Sequence, residues 1–66
     1  GGVLCEGNFA AGTVVELYNL GGVKLGQAVA DAACERLLLT ADKLPTAAYI
    51  VVVKDATGKR SYRILL

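Results

Sequence analysis

The fold is decided by three consecutive segments: AYIVVVK at residues 48–54, DATG at 55–58 and KRSYRILL at 59–66. In the first segment Tyr49, Val51 and Val53 occupy alternate positions, and β-branched or aromatic residues at that period favour a strand. The residues between them are apolar as well, so we expect this strand to be central in the fold or covered by a partner. The second segment is rich in turn formers, which predicts a hairpin leading into another strand.

Similar runs, separated by turn residues, fill the rest of the chain. The predicted strands are residues 3–6, 13–20, 23–29, 36–40, 48–54 and 59–66. Strands at intervals of roughly 8–12 residues predict one all-β antiparallel sandwich spanning residues 1–66. Residues 28–44 also fit one helical face, which leaves helix and strand open there, and the neighbouring strands favour a strand at 36–40. The side chains expected to face one core are Val15, Leu17, Tyr49, Val51, Val53, Tyr62 and Ile64.

Composition excludes several classes of function. The 66 residues are 55% hydrophobic and carry a net charge of +1, without the excess of Lys and Arg that nucleic-acid binding requires. The chain has no His, which excludes His-based acid–base catalysis, His-activated nucleophiles and His-ligated metals. Its two cysteines are too few for the usual structural zinc sites. These absences agree with a chain that has no catalytic, metal-binding or cofactor-binding residues.

Three segments together resemble a known family. VELYNLGGVK at residues 15–24 and LPTAAYIVVV at 44–53 are similar to two motifs of the C-terminal sorting domains of the type IX secretion system, and KRSYRILL at 59–66 is similar to that family's closing strand. The chain departs from the family at Ala47, where the motif has Gly, and it lacks the opening Pro-Asn-Pro segment. The matching motif positions are Leu17, Tyr18, Asn19, Gly22, Leu44, Pro45, Tyr49 and Val51.

The resemblance implies a small immunoglobulin-like antiparallel sandwich that acts as a non-catalytic secretion signal, without a cofactor. It implies a domain from the end of a longer secreted protein, which passes through the periplasm to the outer membrane, the cell surface or the medium. Its implied partners are the outer-membrane translocon, a sortase-like protease that removes the domain, and the cargo on its N-terminal side. An unpaired edge strand could also mediate self-association. The translocon is expected to read Lys59, Arg60, Arg63, Ile64, Leu65 and Leu66.

Two alternatives stay open at this point. The basic residues of the last segment could be a solvated face that protects a sheet edge, and the domain could be a structural or adhesive module of a secreted protein. Cys5 and Cys34 could form a disulfide in the oxidising periplasm, or they could be two buried free thiols.

Overall fold

The computed structural model describes residues 1–66 and contains six strands and no helix. They are β1 (Gly2–Phe9), β2 (Val14–Asn19), β3 (Lys24–Val29), β4 (Cys34–Thr40), β5 (Ala48–Asp55) and β6 (Gly58–Leu65). Every pairing is antiparallel. A two-stranded sheet, β1-β4, faces a four-stranded sheet of order β3-β2-β5-β6. The predicted all-β sandwich is confirmed.

The core forms between the two sheets and is centred on β2 and β5. Val15 lies opposite Val53 and Leu17 opposite Val51, so their alternate side chains share the inner face. Leu39 of β4 covers them from the smaller sheet, and like Val15 and Leu17 it is fully buried. The buried apolar residues of this core are Phe9, Val15, Leu17, Ala30, Leu39, Tyr49, Val51 and Val53.

Residues 28–44, for which the sequence allows either helix or strand, contain no helix. An irregular connection in this segment leads into β4. Residues 34–40 form β4, whose alternate residues Leu37 and Leu39 pack on the core. Burial of these side chains opposite β1 outweighs the helical propensity of the segment. The expected central position of residues 48–54 is also confirmed. β5 lies between β2 and β6, and Val52 on its outer face is buried as well.

The sandwich is closed along one side and open along the other. On the closed side β3 lies against β4, and a Cβ at Gly26 would stand only 2.6 Å from the backbone oxygen of Thr40. Only glycine permits this approach of the two sheets, because a real Cβ needs more than 3 Å. On the open side no Cα atoms of β1 and β6 come within 8 Å of each other.

Because one side of the sandwich is open, one predicted core residue, Tyr62, is exposed. Tyr62 lies opposite Val51 and so faces the inner side of its sheet as expected, but it is 49% exposed. Ile64 is only partly buried. The reason is that the facing sheet has two strands and ends at β1, so it does not cover the inner face of β6. Tyr62 lies on the predicted face, but the core does not extend as far as this residue.

Candidate functional site

The terminal strand β6 is an edge strand. It hydrogen-bonds to β5 on one side and has no strand on the other, so one row of its backbone N–H and C=O groups is unpaired. Lys59, Arg60 and Arg63 are all exposed, as are Leu65 and Leu66, at 79% and 41%. Ile64 is the one predicted recognition residue that is partly buried. The structure thus places five of the six residues on one accessible strand, and Leu66 directly follows its end.

The three cations of β6 have different surroundings. Arg60 donates a hydrogen bond to the Asp55 carboxylate at 3.0 Å, and the same carboxylate accepts bonds from the Thr57 N–H at 2.9 Å and hydroxyl at 2.6 Å. The Thr57 hydrogen bonds, assisted by the charge of Arg60, lower the pKa of Asp55. Lys59 and Arg63 have no carboxylate within 4 Å. They are the two charges of the strand that remain available to a partner.

A groove of about 550 Å³ runs between β1 and β6. Val51 and Val53 form its floor, residues 3–9 of β1 form one wall, and Arg60, Tyr62, Arg63 and Ile64 of β6 contribute the other. The groove is the space that a third strand of the smaller sheet would occupy. It therefore combines an apolar floor with two unpaired strand edges.

The motif positions of the resemblance lie mainly in the core and the turns. Leu17, Tyr49 and Val51 are buried, and the Tyr49 hydroxyl donates a hydrogen bond to the carbonyl of Pro45. Leu44 is partly buried against the core, Pro45 is exposed, and Tyr18 is half-buried on the outer face. These residues build the fold, and Tyr49 and Val51 support β6 from the neighbouring strand β5.

Two motif positions shape the β2–β3 turn. The Asn19 side-chain oxygen accepts the Val23 N–H at 2.9 Å, and the Asn19 carbonyl accepts the Gly22 N–H at 3.0 Å. Gly22 has φ +89°, a conformation that costs glycine little and other residues more. Ala47, where the family motif has Gly, has no such strain, because no residue other than glycine has a positive φ.

A buried ionic cluster on the outer face was not predicted from the sequence. Glu16 is 5% exposed, and its carboxylate contacts Lys54 Nζ at 2.8 Å and Lys24 Nζ at 2.9 Å. The Tyr18 hydroxyl donates a third bond at 3.2 Å. The hydrogen bonds from Lys54 and Lys24 lower the pKa of Glu16 to about 2. The cluster links β3, β2 and β5, and no buried polar side-chain atom is left unpaired, which indicates a structural role.

The two cysteines are both free and partly buried. Cys5 lies opposite Leu37, three residues along β4 from Cys34, so their Cα atoms are offset by about 10 Å along the strands and lie farther apart than that. A disulfide needs a separation below about 7 Å, so this pairing would require the backbone to move. Burial raises the pKa of the Cys5 thiol. Of the two alternatives, the structure contains the free thiols.

No group of three or more Cys, Asp or Glu side chains is arranged to hold a metal ion. No helical segment has the length and hydropathy that a membrane crossing requires.

No protein-family model matches the chain, and no curated protein or solved structure is significantly similar to it.

Proposed function

We propose that residues 1–66 are a non-catalytic sorting domain whose terminal strand is read by the type IX secretion machinery. The observation that carries the proposal is the position of β6 at the edge of the larger sheet, exposed along almost its whole length. An unpaired edge is a template for a strand or loop of a receptor, because backbone groups supply affinity and alternate side chains supply specificity.

The chemistry of β6 supports recognition in preference to mere protection of an edge. Lys59 and Arg63 are exposed without a carboxylate partner, and Leu65 and Leu66 expose apolar surface beside them. A strand that only discouraged aggregation would not need exposed leucines next to its charges. The combination fits a receptor surface that has both acidic and apolar groups.

The different positions of the motif residues, in the core and in a turn, support the same proposal. The positions at Leu17, Tyr49 and Val51 form the core, and those at Asn19 and Gly22 form a turn. They account for a shared fold. The exposed residues of β6 are the part of the resemblance that the fold does not need, so recognition is the better explanation for them. In this proposal the cargo precedes Gly1, and the domain passes through the periplasm to the cell surface.

The test uses the domain fused to a periplasmic reporter in a bacterium that has this secretion system. Lys59→Glu combined with Arg63→Glu, and separately deletion of Leu65 and Leu66, should leave the fusion folded but retain it in the periplasm. Lys43→Glu is the control for charge reversal, because Lys43 is also exposed but lies in the β4–β5 connection. Resistance to protease measures folding in each case.

Surface delivery of both β6 variants at the level of the unmodified fusion would contradict the proposal. In that case the structural or adhesive module would be the better account, because its function does not require recognition at β6.

A further inference from the structure

We propose that a second copy of the chain closes the open side of the sandwich, with β1 of each copy paired antiparallel to β6 of the other. The inference does not depend on the proposed secretion function. It starts from two unpaired edges, one in each sheet, that flank the same apolar groove. An edge of this kind is normally covered, charged or paired. The free edge of β1 is neither covered nor paired, and Glu6 is its only charged residue.

The strand directions allow this pairing. β1 and β2 lie in different sheets and are joined only by residues 10–13, so β2 runs back along the sandwich from the end of β1. β5 is antiparallel to β2, and β6 is antiparallel to β5, so β6 runs opposite to β1. A twofold axis parallel to the strands keeps these directions and exchanges the two layers. It therefore places β6 of the second copy beside β1 in one antiparallel sheet.

The result is a closed dimer of two identical continuous sheets. Each sheet contains the two strands β4 and β1 of one copy and the four strands β6, β5, β2 and β3 of the other. The contact is isologous, so both open sides are closed at once and no further copies are added. The exposed inner face of Tyr62 becomes part of a core that continues from one copy into the next.

The positions, facing and charges of the groove residues together select one register. Residues 3–9 of β1 face residues 60–64 of β6 across the groove, so the two stretches lie at the same height, and a twofold axis parallel to the strands preserves that height. Outward-facing residues must also meet outward-facing residues. Glu6 and Arg63 both face outward, since their neighbours Cys5 and Ile64 pack towards the core. Both conditions are met when Glu6 lies opposite Ser61 or Arg63 of the second copy, and the opposite charges of Glu6 and Arg63 favour the second pairing.

The other pairs of this register are complementary too. Leu4, 56% exposed, lies opposite Leu65, 79% exposed, so each covers an apolar surface that the single copy leaves in water. Gly7 lies opposite Tyr62 and leaves room for its ring, a cross-strand arrangement that shields the glycine backbone. Glu6 lies 3.8 Å from Arg36 and is 69% exposed, so its carboxylate can accept a second cation.

Charge distinguishes this arrangement from pairing of β6 with itself. β6 has three cations and no acid, whereas β1 has one acid and no cation. Two β6 strands side by side would bring Lys59, Arg60 and Arg63 of both copies together, and like charges on adjacent strands are destabilising. β1 is therefore the better partner for β6.

The experiment measures the mass of the chain by sedimentation equilibrium from micromolar to millimolar concentration. We expect a monomer–dimer equilibrium, weakened at least about tenfold by Glu6→Arg or Arg63→Glu alone and restored in the double variant, because the charge pair is then reversed. Glu35→Arg and Lys43→Glu are controls with the same changes of charge on other exposed residues. Circular dichroism checks that each variant keeps its strand content.

A wild-type chain that stays monomeric at millimolar concentration would overturn the proposal and leave the groove to an acidic strand of a different protein. A species larger than a dimer, single variants that dimerise normally, or a double variant that stays monomeric would overturn it as well. Glu6→Arg also separates the two proposals, because it leaves β6 unchanged. The receptor and the second copy would occupy the same edge of β6 in turn, so a Glu6→Arg chain that no longer dimerises but is delivered to the surface is the result expected if both proposals hold.

Discussion

Replacing Glu16 by Gln removes one negative charge from between two lysines and keeps the size and shape of the side chain. In the native protein Lys54 and Lys24 contact the Glu16 carboxylate at 2.8 and 2.9 Å. The variant loses both ion pairs and leaves the two ammonium groups close together. We therefore expect Glu16→Gln to destabilise the fold at neutral pH.

The size of the loss follows from the pKa of Glu16, which is lowered from 4.5 to about 2. A difference of that size between the unfolded and folded states corresponds to at most about 3 kcal/mol of stability. Both lysine side chains are nearly half exposed, so solvent screens the pairs and the expected loss is nearer about 2 kcal/mol. That is a large share of the stability of a domain this small.

The pH dependence has a definite sign. Because the folded-state pKa is lowered, the stabilisation is complete well above pH 4.5 and is lost as the pH falls through the range from 4.5 to about 2. Urea unfolding at a series of pH values should therefore give a difference between wild type and Glu16→Gln that shrinks by more than half between neutral pH and about pH 3. Protonated Glu and Gln are similar in shape and charge, so the two proteins converge in acid.

Glu35→Gln serves as the control, since Glu35 is exposed and forms no salt bridge. It should change the free energy of unfolding by no more than about 0.5 kcal/mol at any pH. A difference for Glu16→Gln that is independent of pH, or one no larger than that of the control, would refute the argument that the buried carboxylate holds three strands together.

Three further substitutions test the packing, each by urea unfolding. Leu17→Ala should cost about 2–5 kcal/mol, because Leu17 is fully buried in the core, and a cost near zero would mean that the register of β2 is wrong. Gly26→Ala should cost about 1–3 kcal/mol, because its new Cβ meets the Thr40 backbone oxygen, and an unchanged stability would mean that β3 and β4 are not in close contact. Tyr49→Phe should cost about 1 kcal/mol through the lost bond to the Pro45 carbonyl, and a more stable variant would argue against that bond.

The β5–β6 hairpin could be predicted from sequence because its signals are local. Alternating apolar residues define both strands, and Asp55 and Gly58 bound the two residues of the turn. The exposure of Tyr62 could not be predicted in the same way. Alternation indicates the face on which a side chain lies, but the number of strands in the opposite sheet determines whether that face is covered.

The ionic cluster at Glu16 is a second feature that could not be predicted from the sequence. Glu16, Lys24 and Lys54 lie on three different strands, and they meet only because β2 is paired with β3 on one side and β5 on the other. Because side chains alternate along a strand, Glu16 lies on the face opposite Val15 and Leu17, which are in the core. Its partners depend on the register of two long-range pairings, which a single sequence does not determine.

The pairing of β1 with β4 has a consequence for the order in which the chain folds. The β2–β3 and β5–β6 hairpins join strands that are adjacent in sequence, whereas β1 brings Gly2 to Thr40, across more than half of the chain. Closing so long a loop costs entropy before any contact is gained, so the smaller sheet is expected to form after the hairpins. During synthesis β1 emerges before the other five strands, and its apolar residues stay unpaired until β4 has been made.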